Sequence, residues 1–419
     1  MDADSSPAEK LQFRCCIVGG GPAGMMLGLL LARAGVDVIV LEKHADFLRD
    51  FRGDTLHSST LQAVHEVGEL NELLKRPHQR LSQLKAQIGS DELVLADFSR
   101  LSTECRFIAL MPQWEFLNFL AEKGQSYPGF HLKMQAEVTK LIEDDGRITG
   151  VQAATPNGMI EVRADLVVGA DGRSSVVRRL SGLRTDDVGA PMDVLWLQLS
   201  KKPDDPQLAL RFARGKVLVT LNRDDYWQCG LLIPKGSAEE IRQQGIEALR
   251  AAITDIAPFL GDRTAEIRDW SEIKLLTVKI DRLREWYRPG LICIGDAAHA
   301  MSPIGGVGVN LAIQDAIAAA NILAGPLAER NVTPTDLARV QRRRSLPARM
   351  TQVFQVTIQK QLVARVFANP SGKLPWLLRT IVRSRLATRI RGHIIGTGFR
   401  PEKVLTPNVL NMSLRSPFR

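Results

Sequence analysis

Residues 13–42 read FRCCIVGGGPAGMMLGLLLARAGVDVIVLE, and this stretch decides the fold class. Segment 13–18, which ends in the apolar residues CCIV, predicts a strand, and a glycine-rich turn after it leads into an apolar helix over 22–34. Gly35 is a typical helix stop, and the run 36–41 predicts a second strand that is buried on both faces. A strand, a helix and a strand within about thirty residues have the size of a βαβ unit. The sequence therefore predicts a parallel sheet covered by helices.

The turn at 19–24 has the spacing of a dinucleotide-binding loop. Gly19 permits a tight turn, Gly21 lets the backbone approach a pyrophosphate, and Gly24 lets the helix and strand pack closely. The helix N-terminus offers unpaired N–H groups to phosphates, and Glu42, 18 residues after Gly24, stands where an acid binds the ribose. These observations do not separate FAD from NAD. The predicted contacts of this loop are Gly19, Gly21, Pro22, Ala23, Gly24 and Glu42.

Two further segments carry motifs of their own. Residues 165–179, DLVVGADGRSSVVRR, predict a buried strand that runs into Asp171-Gly172 and then a helix. Residues 291–316, LICIGDAAHAMSPIGGVGVNLAIQDA, predict a strand that ends at Gly295-Asp296, a glycine-rich loop and an apolar helix.

In order and spacing the three motifs resemble the group A flavoprotein monooxygenases, the para-hydroxybenzoate hydroxylase-like family, over about residues 13–330. The resemblance implies an α/β fold: a Rossmann-like FAD-binding domain of the glutathione reductase type, an inserted, mainly antiparallel β-sheet substrate domain and a helical C-terminal region. The expected parts are an FAD-binding domain (1–80, 110–183 and 272–340), a substrate domain (81–109 and 184–271) and a basic helical region (341–419).

The resemblance also implies roles for single residues. Asp171-Gly172 would lie near the dinucleotide pyrophosphate and also serve NAD(P)H binding. Asp296 would accept a hydrogen bond from the ribityl chain, and Gln113 matches a glutamine that contacts the same chain. Arg52 matches an arginine near the cofactor.

The glycine-rich loop before the last of these helices is expected at the flavin ring. The helix that starts near Gly308 would point its N-terminus at the pyrimidine ring, where reduced flavin carries negative charge. Only glycines let the backbone come that close. Pro303 would wall one side of the ring, and Asn310 would bond its edge. The expected contacts here are Gly306, Val307, Gly308, Val309 and Asn310.

Three residues are catalytic candidates beside the cofactor: Arg52, Pro303 and His57. His57 could take part in a proton relay, but a structural role is favoured for it. His299 is expected to be a packed or capping residue rather than a base. Lys43 would meet the 2′-phosphate of NADPH, although a surface charge after a strand is the commoner outcome.

Alternating patterns at 81–110 and 191–234 predict antiparallel strands, and apolar spacing predicts helices at 113–123, 239–253 and 308–324. Aromatic side chains fall on the second of these strand groups. In the family this sheet covers the flavin, so these side chains would line a pocket for an aromatic substrate, with ordinary core packing as the alternative. Arg211 would attract an anionic substrate or pair on the surface. The substrate candidates are Trp196, Arg211, Phe212 and Trp227.

The composition indicates the class of protein and argues against several kinds of site. The chain has 419 residues, of which 45 % are hydrophobic and 24 % charged, as in a globular protein of two or three domains. Five cysteines without a CxxC pair argue against a zinc ribbon or a secreted disulfide framework. The polar first ten residues do not resemble a signal peptide, which predicts a cytoplasmic protein. No metal is expected.

The positive charge is concentrated at the C-terminal end. The net charge is +9, yet residues 341–419 hold sixteen Lys and Arg and a single acid, Glu402. This region is expected to be helical with breaks at Pro347, Pro370 and Pro375. A solvated helical face is the first interpretation and peripheral contact with a membrane surface the second. No nucleic-acid partner is expected because no recognition motif accompanies the charge.

The function implied by the resemblance is an FAD-dependent monooxygenase. NADPH or NADH would reduce FAD, and O2 would form a flavin hydroperoxide that hydroxylates an aromatic or quinone/quinolone-like substrate. A reductase, an oxidase or a halogenase of the same fold remains an alternative, although the halogenase motif WxWxIP lacks its second Trp in 227–234. A non-catalytic flavin-binding protein at a membrane surface is another. An NAD-dependent dehydrogenase is disfavoured, because a simple NAD domain lacks the ribityl-type Gly295-Asp296 segment. The oligomeric state is open.

Overall fold

The computed structural model describes residues 9–48, 55–88, 91–206, 210–213, 215–223, 225–360 and 384–413. The strands are β1 (Glu9–Val18), β2 (Val38–Leu41), β3 (Thr55–Leu56), β4 (Gln79–Leu81), β5 (Gln83–Ile88), β6 (Asp91–Asp97), β7 (Ile108–Leu110), β8 (Phe130–Lys133), β9 (Glu137–Asp144), β10 (Arg147–Thr155), β11 (Gly158–Gly169), β12 (Thr185–Asp187), β13 (Met192–Ser200), β14 (Leu210–Ala213), β15 (Lys216–Asn222), β16 (Tyr226–Pro234), β17 (Lys274–Leu276), β18 (Asp281–Leu283), β19 (Tyr287–Arg288) and β20 (Leu291–Cys293). The α-helices are α1 (Pro22–Arg33), α2 (Ser58–Val67), α3 (Leu70–Leu73), α4 (Gln113–Gln125), α5 (Val176–Ser181), α6 (Ala238–Gln243), α7 (Ile246–Ile256), α8 (Val307–Ala328), α9 (Pro334–Ile358), α10 (Arg385–Thr397) and α11 (Val409–Ser413).

The first large sheet contains the βαβ unit. Its core is five parallel strands in the order β20-β11-β1-β2-β8, and β9, β10 and β19 extend it in antiparallel pairings. The central strand β1 pairs with β11 on one side and β2 on the other. Its last four residues are buried, and α1 is buried along nearly its whole length. The uncharged run 15–32 is thus a core strand followed by a core helix, and the predicted α/β fold is confirmed.

The second large sheet has seven strands in the order β17-β13-β16-β15-β14-β5-β6. Every pairing is antiparallel except that of β14 with β5. Strand β17 pairs with β13, so the expected boundary at residue 272 was wrong, because it separates β17 from its own sheet. The expected boundary at 341 also falls inside a single helix, α9.

The two faces of this second sheet pack against different parts of the chain. One face, called the α7 face here, carries Trp227 and packs on α7. The other, called the loop face, carries Phe212 and half-buried Trp196. Ile304 of the glycine-rich loop and Val356 of α9 belong to the same apolar cluster as the loop face. The sheet therefore presents one face to the motif predicted to hold the flavin.

Two helix predictions were wrong. The helix expected over 239–253 is divided into α6 and α7, because Gly245 adopts φ +88 between them. Pro347 does not break α9, which is continuous through it. A proline removes one helical hydrogen bond, and the burial of Arg344, Pro347 and Ala348 against the rest of the fold outweighs that loss. Pro370 and Pro375 lie outside the described residues.

One helical segment of the described chain, Ile304–Ala328, is long and apolar enough to cross a membrane by length and composition. Some 72 % of its apolar window is buried inside the protein. It contacts α1 and α9. This segment is therefore a core helix of the fold.

The basic C-terminal segment packs closely on the second sheet. Helix α10 contacts β6, and Arg391 Nε donates a 2.6 Å hydrogen bond to the carbonyl of Leu95. A Cβ added to Gly392 would lie 2.0 Å from the carbonyl oxygen of Asp97. The approach of this helix therefore requires glycine at position 392.

Replacing Gly392 with alanine is expected to push α10 off β6. Overpacking of this kind costs about 1–3 kcal/mol, and we expect earlier thermal unfolding and faster proteolysis within α10. Gly325→Ala in α8 is the matched control, because no atom lies within 4 Å of the added Cβ; this substitution should stabilise by about 0.5–1 kcal/mol. Equal stability of G392A and the parent would contradict the close contact.

Candidate active site

The first glycine loop is shaped by backbone contacts that exclude side chains. Gly19 has φ +107, and a Cβ there would lie 2.6 Å from the carbonyl oxygen of Ala170. A Cβ on Gly24 would lie 2.0 Å from the carbonyl oxygen of Gly19. At Gly21 the nearest such atom is 3.9 Å away, so the loop is open at this position. Gly21 caps α1 without a side-chain acceptor, and the first turn, which begins at Pro22, holds no acid.

Glu42 is brought back over this loop. Its Oε2 accepts a 2.9 Å hydrogen bond from the backbone N–H of Gly20, and Oε1 accepts one from His44 at 3.1 Å. The Glu42 side chain is only 11 % exposed, whereas Lys43 is exposed. The acid at the end of β2 therefore lies at the glycine loop, as its spacing predicts.

The second glycine loop forms the N-terminus of α8. Gly305 and Gly306 both have positive φ, and a Cβ on Gly306 would lie 2.4 Å from Thr55 Oγ1. Thr55 Oγ1 donates to the carbonyl of Gly306 at 3.1 Å. Helix α8 begins at Val307 without a side-chain cap and without an acid in its first turn. Around Gly308 the backbone is open, since Met301 Cβ is 4.0 Å from an added Cβ.

The two aspartates of the remaining motifs have different environments. Asp171 accepts hydrogen bonds from Ser175 Oγ and from the N–H groups of Val176 (2.7 Å) and Val177 (3.1 Å), so its carboxylate caps α5. Burial raises the pKa of Asp171 although these donors oppose it. Gly172, beside it, has φ +83 and open space around an added Cβ. The Asp296 side chain is 28 % exposed and contacts Arg173 Nη2 at 3.4 Å.

The remaining predicted cofactor contacts differ from one another in their hydrogen bonding. Gln113 is half-buried and begins α4, and Pro303 is half-buried before the turn at Ile304–Gly306. Val309 is half-buried in the first turn of α8. The Asn310 Oδ1 atom accepts hydrogen bonds from Ser59 and Thr60 on α2 at 2.7 and 2.8 Å. The Asn310 oxygen thus fixes α8 to α2, and the expected bond of Asn310 to the ring edge stays a prediction.

His57 has a structural role at the second glycine loop. Its Nδ1 lies 2.6 Å from the carbonyl of Ile395 and must donate, because a carbonyl can only accept. Burial lowers the pKa of His57, so the ring is neutral at pH 7, and it lies against the backbone of Gly305 and Gly306. It therefore joins α10 to the second glycine loop. Arg52, the other candidate near this segment, falls outside the described residues.

The four substrate candidates lie on opposite faces of the second sheet. Trp196 and Phe212 are on the loop face, and Trp196 covers Gly230, where an added Cβ would lie 2.8 Å from the indole. Trp227 is on the α7 face and donates from Nε1 to Asp205 at 2.7 Å. The prediction that it lines the same pocket was therefore wrong.

Arg211 also points to the α7 face. Its Nη1 donates to Thr220 Oγ1 at 3.0 Å, and its guanidinium lies 4.4 Å from the centre of the Phe259 ring. Burial lowers the pKa of Arg211 to about 10. Successive strand residues point to opposite faces, so Arg211 cannot share the pocket of its neighbour Phe212.

A row of glutamines on α9 holds the loop between Asp296 and Gly305. Gln352 Nε2 donates to the carbonyls of Ala300 and Asp281 at 3.1 and 2.9 Å. Gln355 Nε2 donates to Ser302 and Ile304 at 2.9 and 2.8 Å, and its Oε1 accepts from the N–H of Ser302. Beyond the end of α9, Gln359 Nε2 bonds Ser302 Oγ at 2.5 Å. Sequence reasoning missed these residues, although the spacing 352, 355, 359 places them on one helical face.

A buried ion cluster holds the other end of this loop. Asp315 on α8 accepts from the N–H of Gly295 at 3.1 Å, from His299 Nε2 at 2.6 Å and from Arg344 Nε at 2.9 Å. Arg344 also contacts Glu402 at 3.3 Å. Each side chain of this cluster is at most 4 % exposed. The packed role expected for His299 thus has a specific form: it is one member of the cluster that fixes the Gly295-Asp296 turn.

Residues 12–353 match the family described as FAD binding domain. A curated relative, 6-methylpretetramide 4-monooxygenase from Streptomyces rimosus, is 32 % identical over 353 residues, which are 83 % of this chain and 84 % of that protein. The solved p-nitrophenol 4-monooxygenase PnpA from Pseudomonas putida DLL-E4 has a TM-score of 0.74 at 22 % identity and covers 92 % of this chain and 94 % of its own. The solved structure of the flavin-dependent brominase Bmp2 has a TM-score of 0.72 at 16 % identity, and the match covers 96 % of this chain and 98 % of the brominase chain.

The two glycine loops and the sheet between them define an FAD-binding oxidoreductase. The chain belongs to the group A flavoprotein monooxygenases and is an FAD-dependent enzyme of the aromatic hydroxylase type. Its residues fit FAD: the N-termini of α1 and α8 are uncapped, and the backbone is open at Gly21 and Gly308. Both features favour a ligand that carries negative charge at the pyrophosphate and at the reduced ring.

Alanine at Gly306 and at Gly308 should separate folding from cofactor binding. Gly306→Ala introduces a Cβ at positive φ against Thr55 and should lower both apoprotein stability and FAD retention. Gly308→Ala meets open space, so the apoprotein should keep its stability while FAD binds more weakly. Thermal unfolding of apoprotein and FAD titration by fluorescence measure the two effects. Unchanged FAD affinity in G308A would contradict close approach of the flavin.

Acid should weaken the fold through Asp315. Burial alone would raise the pKa of Asp315, but His299 and Arg344 outweigh it and hold the pKa below the ordinary 3.8. The cluster therefore stabilises the protein at pH values above about 4, and this contribution is lost as the pH falls through the lower pKa of the folded state. Asp315→Asn should cost about 3–5 kcal/mol at pH 7, because buried His299 and Arg344 lose the carboxylate that they share, and Glu402, 3.3 Å from Arg344, replaces it only in part.

Denaturant unfolding across pH 3–7 measures this, and D315N should show a flatter acid dependence. Asp186→Asn breaks an exposed ion pair with Arg284 and serves as the control. It should cost at most about 1 kcal/mol. Equal losses in the two variants would contradict a special role for the buried cluster.

Proposed function

We propose that this enzyme hydroxylates an aromatic or quinone/quinolone-like small molecule, with NADPH or NADH as reductant and O2 as oxidant, in the cytoplasm. The observation that carries the proposal is the position of the loop face. Trp196 and Phe212 share one apolar cluster with Ile304, which stands in the loop at the N-terminus of α8. A planar apolar ring therefore has an apolar wall beside the expected position of the flavin.

The chain's own residues would bind and orient the cofactor. The first glycine loop and the N-terminus of α1 would hold the pyrophosphate, and Glu42 would reach the ribose. Asp296 would accept from the ribityl chain, and the N–H groups at Val307 and Gly308 would face the pyrimidine ring. When bound, FAD supplies the transfer of electrons from NAD(P)H to O2 and of one oxygen atom to the substrate.

The protein around this site would keep water out and hold the loop still. The glutamines of α9 and the Asp315 cluster fix the loop from both ends, so the N-terminus of α8 is preorganised. The apolar loop face would exclude water from the reacting oxygen. Among the described side chains we assign no base. The substrate ring would be placed by the wall of Trp196 and Phe212.

The experiment is oxygen transfer by the FAD-loaded enzyme. NADPH and NADH oxidation would be followed with phenols, quinones, quinolones and polycyclic aromatics, and products of stimulating compounds analysed after reaction under 18O2. One 18O atom in the product is the expected result. Stimulated NAD(P)H use with only hydrogen peroxide formed would favour an oxidase or reductase. A halogenated product in the presence of bromide would favour the activity named for the neighbour Bmp2.

Trp196→Leu tests the loop face within the same assay. It should raise KM for the aromatic compound at least several-fold, because a ring-sized part of the wall is removed. Trp270→Leu is the matched control, since Trp270 is also half-buried but packs on the α7 side. If both variants, or neither, changed KM, the loop face would not be the substrate wall.

A further inference from the structure

The outer side of α9 contains a cavity that the flavin site does not use. This surface cavity has a volume of about 430 Å³. Its lining residues are Ile322, Arg339, Arg342, Arg343 and Arg400. Four guanidinium groups thus surround one opening formed by α8, α9 and the segment after α10.

The charges of the cavity are only half compensated. Arg339 contacts Asp336 at 3.3 Å, and Arg343 Nε contacts Glu402 at 2.8 Å. In the part of the chain that the structure describes, the side chains of Arg342 and Arg400 make no hydrogen bond or ion pair. An excess of positive charge therefore faces solvent from a concave surface. Arginine forks match phosphate oxygens in pairs, which makes phosphate the anion that this cavity fits best.

An apolar stripe continues from the cavity along the same helix. Leu346, Met350 and Val353 are 54 %, 42 % and 63 % exposed. They follow Arg342 by 4, 8 and 11 residues, a spacing that places all four on one face of α9. Arg349, also exposed, lies within this stripe. The only acid of α9 is Asp336, which stands in its first turn.

We propose that this outer face of α9 docks on a membrane surface of anionic phospholipid. Phosphate headgroups would enter the arginine cavity, and Leu346, Met350 and Val353 would reach the boundary with the acyl chains. Basic groups next to an exposed apolar stripe are the combination that interfacial helices use. A nucleic acid would satisfy the arginines but would leave the apolar stripe in water.

The inner face of α9 explains why membrane docking by the outer face is compatible with catalysis. That face carries Gln352 and Gln355, whose side chains are buried against the loop at residues 300–304. The lipid-facing residues are on the other side of the helix, so their replacement leaves the cofactor loop intact. Membrane docking and catalysis can therefore be tested separately.

The test is co-sedimentation of the FAD-loaded full-length protein with phosphatidylcholine vesicles, with and without phosphatidylglycerol. We expect binding only to the anionic vesicles, and weaker binding at high salt. The double variants Arg342→Gln/Arg400→Gln and Met350→Ser/Val353→Ser should each lower the partition coefficient roughly tenfold or more. Both should keep the FAD content and the NAD(P)H oxidation rate of the parent without vesicles.

Matched controls are Arg268→Gln and Leu275→Ser, exposed residues near or on the second sheet, which should bind like the parent. Binding of inorganic pyrophosphate, lost in the arginine variant, by a protein that ignores anionic vesicles would assign the cavity to a soluble phosphate and overturn the proposal. Equal binding to neutral vesicles, or an equal loss in the controls, would overturn it as well. The readout is sedimentation, so the result does not depend on the proposed hydroxylation.

Discussion

The buried ion cluster around Asp315 is the interaction on which the Gly295-Asp296 turn and the loop after it depend. The Asp315 carboxylate is fully buried, and it joins the backbone of Gly295 to His299 and to Arg344. A buried carboxylate needs such partners, since an unpaired charge in the interior is strongly destabilising. The partners come from the Gly295-Asp296 turn on one side and from the basic C-terminal region on the other. The geometry of the motif is therefore set by residues well outside it.

Helix α9 extends the same dependence to the second glycine loop. A proline within a helix and a row of buried glutamines are both unfavourable in isolation, because each leaves polar groups to satisfy. Here the glutamine side chains satisfy the carbonyls of a loop that has no regular structure of its own. The helix gains packing, and the loop gains a fixed conformation. The C-terminal region is in this sense part of the cofactor-binding domain.

The sequence predicted the features that follow from local backbone constraints. Gly19, Gly24 and Gly306 stand where any side chain would overlap neighbouring atoms, and such positions leave a readable pattern. The sequence did not show which face of the second sheet carries Arg211 and Trp227. This depends on the strand register, because a shift of one residue exchanges the two faces of a sheet. The role of the glutamines depends on which face of α9 packs inward, which only the tertiary structure decides.

The basic C-terminal region shows why a charge count is a weak guide to function. Arg344 is wholly buried and compensates Asp315 and Glu402, while Arg391 binds the carbonyl of Leu95. These arginines are used by the fold and are not offered to a partner. Arg342 and Arg400 face outward around a cavity. A surface function of this region therefore follows from the few charges that the fold leaves uncompensated, and their position beside an apolar stripe is more specific than the charge total.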